Sequence, residues 1–443
     1  MTTPPERYYP PQNPGFYLRL SVYWFALSLL WGGMISIVIQ HIVAQISPDK
    51  KDIFLGWTLG LGALVSTVVG LVIGTISDRS RWKMGRRRPY IIVGSVMTVP
   101  ALLWLGKIGT TTPSLSLLPL LMFDFCLIQF WTNIGTAPYQ AFVPDLVKKE
   151  NQGAASAYMG MGSLIGQLGG LLLCGLLVQQ PNGILTICWT LSIGFVVAML
   201  FTVFTVHEES AAENPSPRMS TWQAMKYSFQ VNPREHPDFF WLIASRFVIN
   251  MGFYTATEFL LYYTSDTLRA PNPAQTVLKI MAIATVSGLL GNFPAGIYAD
   301  RISKKKIVYI AATLTGAAIF GFLVTSNISF ALGMAFIFGA GYGAFQAVDW
   351  ALATNLLPDY DEAKFMGIWH AAFTIPQVIA PIVGGAVAYL FNEGALKSAV
   401  ASYGSGFGYR VVLCLVIVYL GAGCLILRPV RERLAHISED AQE

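Results

Sequence analysis

The chain has 443 residues, of which 54% are hydrophobic and only 12% charged. A soluble protein carries about 25% charge, so this sequence cannot clothe its own surface in water; a cytosolic enzyme, a coiled coil and a disordered chain are excluded. The net charge of +5, from 29 Lys+Arg against 24 Asp+Glu, needs no nucleic acid to explain it in an apolar chain, and a polytopic membrane protein remains, with the lipid bilayer as most of its solvent.

A helix needs about 20 mostly apolar residues to cross a bilayer. Before the first such run, Met1–Leu20 is polar and rich in Pro and Tyr. That run is too long for the apolar part of a signal peptide, so the N-terminus is expected to be retained. Six spans are predicted at about Leu20–Ile46, Ile53–Ser77, Pro89–Lys107, Leu115–Val143, Gly153–Val178 and Ile184–Val206. A polar stretch, His207–Asp238, follows, punctuated by Asn214–Pro217 and Asn232–Pro233 as a linker would be. Six more spans follow at about Phe239–Ser265, Ala274–Ala299, Ile307–Thr325, Ile328–Asn355, Phe365–Phe391 and Phe407–Leu427. The predicted division is therefore a bundle over 1–206, a cytoplasmic linker over 207–238, and a second bundle with a short tail over 239–443.

The Lys and Arg residues orient these spans. The chain ends and the loops on their side hold 21 of the 29, the opposite side holds seven, and Arg246 is left inside a span. The asymmetry places both termini in the cytoplasm, and the expected site is the cell (inner) membrane. The five cysteines lie in apolar stretches, away from any second Cys or His at ligand spacing. They read as core residues, with no metal and no cofactor expected.

The two halves repeat each other. The second span ends Gly74-x-x-x-Asp78-Arg79 and the eighth ends Gly296-x-x-x-Asp300-Arg301, each running into a basic loop. Pro144-Asp145, Gly153 and Gly170 recur as Pro358-Asp359, Gly367 and Gly384, all at one offset of 214. The fold class implied is an all-α polytopic membrane protein of twelve transmembrane helices in two pseudo-symmetric six-helix bundles. Two parallel repeats are the build of a large transporter class whose substrate site lies near mid-membrane.

The segment Gly74-x-x-x-Asp78-Arg79-…-Gly85-Arg86-Arg87-Arg88-Pro89 resembles the loop signature of the major facilitator superfamily. The run to Ile91, with Ala137–Leu146 at the end of the fourth span, resembles its glycoside–pentoside–hexuronide branch and especially the sucrose/proton symporters. That resemblance implies alternating access and a cytoplasmic latch at Asp78. With the repeat it extends the latch to Asp300; the gating set is Asp78, Arg79, Arg86, Arg88, Asp145, Asp300, Arg301 and Asp359. It also marks two departures. The branch carries an acidic residue on the fourth span where this chain has Gln129, and a sugar-binding arginine where it has Gln140.

Polar residues recur at helical spacing inside the spans. Gln129, Asn133, Thr136 and Gln140 follow one another on the fourth, and Ser156, Ser163 and Gln167 on the fifth. The seventh carries Arg246, Asn250, Tyr254 and Thr257, with Glu258 beside them; the tenth carries Tyr342, Gln346 and Asp349, the eleventh His370, Thr374 and Gln377. An amide in such a place serves equally well as interhelical glue. Charges inside a span cost several kcal/mol and default to function. The candidate substrate-binding residues are Gln129, Asn133, Gln140, Gln167, Arg246, Asn250, Tyr254, Tyr342 and Gln346, and the candidate ion-coupling residues are Asp349, Glu258 and His370. Trp31, Trp131 and Trp350 add aromatic faces that a sugar could stack on. Asp124 lies nearly opposite the polar stripe of its span, and His41 and Gln45 lie near the outer end of the first; none of the three has an assigned role.

The function expected is secondary transport of a small polar organic solute, a sugar or glycoside, coupled to protons in a monomer. Transport of a lysolipid, drug or organic anion, or uncoupled facilitation, is the alternative. An enzyme is not expected, since no nucleophile elbow or metal-ligand motif is present.

Overall fold

The computed structural model describes residues 9–148, 151–208, 234–298, 302–356, 362–403 and 406–431. Among them, twelve helices are long and apolar enough to cross a bilayer. They are α1 (Pro14–Ile46), α2 (Lys51–Asp78), α3 (Arg88–Thr110), α4 (Leu117–Gln140), α5 (Gln152–Leu177), α6 (Gly183–Thr205), α7 (Pro237–Glu258), α8 (Pro273–Tyr298), α9 (Lys304–Val324), α10 (Ile328–Leu356), α11 (Glu362–Asn392) and α12 (Phe407–Leu427).

Most ends follow from local chemistry. Helix α1 starts six residues before its apolar run because Asn13 caps it, its side chain accepting from the Phe16 amide at 2.8 Å, with Pro14 in the first turn. Within α1 the ladder passes through a π-helical segment, Met34–Ile39, directly after Gly32-Gly33. Helix α7 stops at Glu258, short of the expected Ser265. Phe259 leaves helical geometry (φ −109°, ψ 14°), and the chain continues as a three-residue helix, Leu260–Tyr262, and a π segment, Tyr263–Thr267.

The chain divides into two compact units, Met1–Ile46 with Leu61–Met225, and Ser47–Gly60 with Lys226–Glu443. In the first, α1 packs on α5 and α6, and α3 on α4 and α6; in the second, α7 packs on α11 and α12, and α9 on α10 and α12. The pairings repeat six helices apart, as the internal duplication requires. In lipid no hydrophobic force drives helix against helix, so close packing of small residues must do so. Gly162, Gly166 and Gly170 form a step-of-four stripe on α5. A Cβ at Gly166 would overlap the Phe25 carbonyl of α1, and one at Gly170 the Leu29 carbonyl. Ser28 and Ser163 join the same two helices by a 2.9 Å hydroxyl hydrogen bond.

Gly160, on the same helix, faces open space. Gly166→Ala is therefore expected to destabilise the first unit by about 1–3 kcal/mol through overpacking, and Gly160→Ala to leave it unchanged or slightly firmer. Melting temperatures of the purified variants in detergent check this; equal effects would refute the close-packed interface.

Candidate functional site

The seventh helix places Arg246, Asn250 and Tyr254 one turn apart on one face. Arg246 is only 3% exposed and Asp349 of α10 only 4%, and the guanidinium forms an ion pair with Asp349 Oδ2. Trp369 of α11 stacks on the guanidinium, with its ring centroid 3.5 Å from Cζ, and the Phe373 ring lies 5.6 Å away. An aromatic face attracts either cation, and a planar guanidinium can in addition lie flat on it. Asn250 donates to the Arg246 carbonyl at 2.9 Å, while its buried Oδ1 has no hydrogen-bond partner among the described residues. Beyond Arg246, the Gln377 amide donates to the Tyr254 hydroxyl at 2.7 Å, and that of Gln346 to the Tyr342 hydroxyl at 3.1 Å. The second unit thus gathers Arg246, Asp349, Asn250, Tyr254, Tyr342 and Gln346 from the predicted set, and adds Trp369, Phe373 and Gln377. Apolar spacing alone gives Trp369 away only as the neighbour of His370, whose side chain, like that of Trp350, lies outside the described residues.

Glu258 does not join this group. It is the last residue of α7, twelve residues and so about 18 Å along the axis from Arg246. It is buried at the negative end of the helix, and its Oε2 lacks a hydrogen-bond partner among the described residues. In the first unit, Gln129 is buried, and Asn133 donates to its backbone carbonyl at 2.8 Å and weakly to its side chain at 3.5 Å. Gln167 is half-buried, and Gln140 is exposed at the end of α4. Trp31 and Trp131 are engaged edge-on by Phe125 and Phe130. Asp124 is fully buried, and both its oxygens lack hydrogen-bond partners among the described residues.

The basic loop after α2 is built around Arg87, which the expected gating set does not include. Arg87 is 3% exposed. It bonds Asp78 at 2.6 Å, Asp145 at 2.9 Å and the Ser77 hydroxyl at 2.6 Å, while Arg86 reaches Asp145 at 3.2 Å. Arg88 instead donates to the Val203 carbonyl of α6. The second omission is Glu208, just beyond α6, in the stretch read only as linker. Its carboxylate accepts from the backbone amides of Arg86 (2.8 Å), Arg87 (2.9 Å) and Arg88 (3.3 Å), at the N-terminus of α3. Gly85 makes this possible twice over: its φ of +102° is left-handed, and a Cβ would strike the Glu208 carboxylate. Asp300, Arg301 and Asp359, the repeat's counterparts, lie outside the described residues.

A further polar network, just ahead of the Ile53 start expected for the second span, occupies the opposite end of α2 within the second unit. Asp52 Oδ1 accepts from the Tyr409 hydroxyl at 2.6 Å and its Oδ2 from Asn392 at 3.1 Å; Lys51 pairs with Asp266 at 2.5 Å.

Burial pushes the Glu208 carboxyl above its ordinary range, against the three amides and Arg87, which favour the anion. A carboxyl raised in the folded state binds its proton more tightly there than when unfolded. Its contribution is complete below the unfolded value and is lost as pH rises through the folded one. The stability of the wild type relative to Glu208→Gln is accordingly expected to fall as pH rises from about 4.5 toward neutrality, in melting curves across that window; a rise would refute the assignment.

The sequence matches the family model described as Major Facilitator Superfamily over residues 20–358 and 267–443. Among curated proteins it is 25% identical over 378 residues to the fujikurins efflux protein of Gibberella fujikuroi, covering 83% of this chain and 73% of that one. It is 32% identical to human solute carrier family 45 member 3 over 142 residues, 30% of this chain and 25% of that one. Among solved structures, a point mutant of the nucleoside transporter NupG superposes with a TM-score of 0.73 at 10% identity, covering 94% and 100% of the two chains. A D-xylose-proton symporter gives 0.69 at 16% identity, covering 94% and 97%.

Proposed function

We propose, on the premise that the chain belongs to the major facilitator superfamily, that this transporter moves a small polar solute, a sugar or glycoside, by proton-coupled alternating access. The observation that supports this reading best is the Arg246–Asp349 pair, buried, closed over by Trp369 and continued by a polar stripe. With Asp349 ionised, the guanidinium is neutralised; its buried Nε has no hydrogen-bond partner among the described residues, and the Nη1 donors face the carboxylate. A proton on Asp349 removes the counter-charge and frees those donors for acceptor oxygens of the solute. The Asn250 Oδ1, and the Tyr254–Gln377 and Tyr342–Gln346 pairs, then supply further acceptors and donors for hydroxyls. The stacked Trp369 positions the guanidinium. Glu258, buried at the end of α7, is a second proton carrier in this scheme, and His370 a third. On the first unit Gln129, Asn133, Gln140 and Gln167 are the further substrate-binding candidates. The Asp78–Arg87–Asp145 cluster serves as the latch, an ion-pair element that is made in one state and broken in another. We take the monomer as the working unit, with both termini in the cytoplasm of the cell membrane.

Export of an amphipathic compound is the second reading. It is favoured by the relatives named as efflux proteins.

In proteoliposomes with an imposed pH gradient, Asp349→Asn is expected to abolish accumulation of the transported sugar and to spare its exchange. Removing one partner of a buried pair costs about 3–5 kcal/mol, so the double variant Arg246→Gln, Asp349→Asn, which leaves no lone charge, serves as the folded control. Normal accumulation by Asp349→Asn refutes the coupling. A panel of sugars, glycosides, lysolipids and lipophilic cations separates the two readings of the solute.

A further inference from the structure

The sequence leaves His41 and Gln45 without a role, and neither belongs to the transport site above. In the first unit they meet two other segments. One turn apart near the end of α1, they line a cavity together with Thr110 at the end of α3 and the α5–α6 connection, Gln179, Gln180 and Asn182. It is an open depression of about 430 Å³, as large as a small-molecule site of about 300–1,000 Å³, with Gln45, Thr110, Gln179, Gln180 and Asn182 exposed around it and His41 half-buried. It lies at the ends of α1, α3 and α5, away from the arginine-rich loop between α2 and α3.

Its lining is chemically selective. Every polar side chain is neutral: four amides, one imidazole and one hydroxyl, with no carboxylate, lysine or arginine. Amides offer both donors and acceptors, as does a sugar hydroxyl, whereas an ion would find no counter-charge here. The Gln179 side chain and that of Asn182 make no hydrogen bond among the described residues, so their capacity is open to a ligand; Gln45 and His41 hold each other at 3.0 Å. Val178, Ile184 and the bare backbone of Gly109 and Gly183 give a floor that C–H faces can rest on. Gly109 is small because the start of α6 is close: a Cβ there would come within 2.7 Å of Ile184.

We propose that this cavity is a second binding site, taking a small neutral polyhydroxylated group. It is separate from the Arg246–Asp349 site and does not depend on what that site transports. The same chemistry is carried by a free sugar and by the head of a glycosylated lipid, so the test has two arms.

The protein is purified in a detergent without a sugar head, and binding of radiolabelled sucrose is followed by equilibrium dialysis. The second arm measures binding of a diglucosyl diacylglycerol in nanodiscs. Gln179→Trp fills the cavity from an exposed position and is expected to weaken the binding of whichever source is used by at least about tenfold. Gln45→Ala, which removes polar partners, is expected to weaken it by roughly three- to tenfold. Asn250→Ala, in the other unit, should remove only what the transport site binds and leave a saturable component. Saturable binding of either source that persists in Asn250→Ala and is weakened when Gln179→Trp is added to it supports the proposal and identifies the source. Absence of saturable binding in both arms at millimolar concentrations overturns it, as does binding that Gln179→Trp leaves unchanged. Loss on Asn250→Ala alone assigns the sugar to the transport site and overturns it too. Failure of the transport reading would show instead as unimpaired accumulation by Asp349→Asn with this binding unaffected.

Discussion

Arg246 and Asp349 leave water together, and much of the second unit is arranged around that fact. A lone charge at such depth costs several kcal/mol, so each of the two charges is offset by the other. The pair needs α7 and α10 to present the two groups at one level, and α11 to cover the guanidinium with Trp369. Three helices from separate parts of the sequence are thereby held in register by one polar contact, in a medium where apolar side chains give no preference for protein over lipid. In the first unit the buried arginine, Arg87, is paired in the loop after α2 and not within a span, and α1 is located on α5 by a glycine stripe and a hydroxyl bond. The duplication preserved the packing scheme and let the two interiors diverge in chemistry.

The fold was legible in the sequence because it is governed by length and hydropathy, both of which sum over many residues. Individual ends were not. Asn13 and Pro14 extended α1 by a capping bond that hydropathy does not register, and Phe259 ended α7 by a local dihedral change within an unbroken apolar run. The candidate site was legible where helical spacing ruled: Arg246, Asn250, Tyr254, Tyr342, Gln346 and Asp349 all fall in one unit, on the faces that the period of 3.6 implied. What spacing could not rank was which residue of a cluster does the bonding. Three consecutive arginines look alike in sequence, yet Arg87 is the buried one because only its position points back at Asp78 and Asp145. Glu208 was hidden for a different reason. Its role comes from backbone amides more than a hundred residues away, and an amide leaves no trace in the side-chain pattern.

The loop after α2 also shows how a motif and its surroundings divide the work. The side chains of Arg86 and Arg87 settle two carboxylates, while the amides of the same residues settle a third. A single short segment therefore neutralises acids from α2, from the short helix after α4 and from the chain beyond α6. Substituting lysine at 87 would keep the charge but lose the planar fork that reaches two acids and a hydroxyl at once.

The π-helical segment Met34–Ile39 has a consequence for how α1 faces its surroundings. Each residue of an α-helix turns the chain by about 100°, and a π segment accommodates an extra residue within its turns. Below the segment, Ser28 is directed at α5; above it, His41 and Gln45 are directed at the ends of α3 and α5. The segment is thus a phase shifter. Deleting one residue between 34 and 39 would leave α1 only one residue shorter and as apolar as before, yet swing its last seven residues, Gln40–Ile46, by about a quarter turn and aim the imidazole and amide elsewhere.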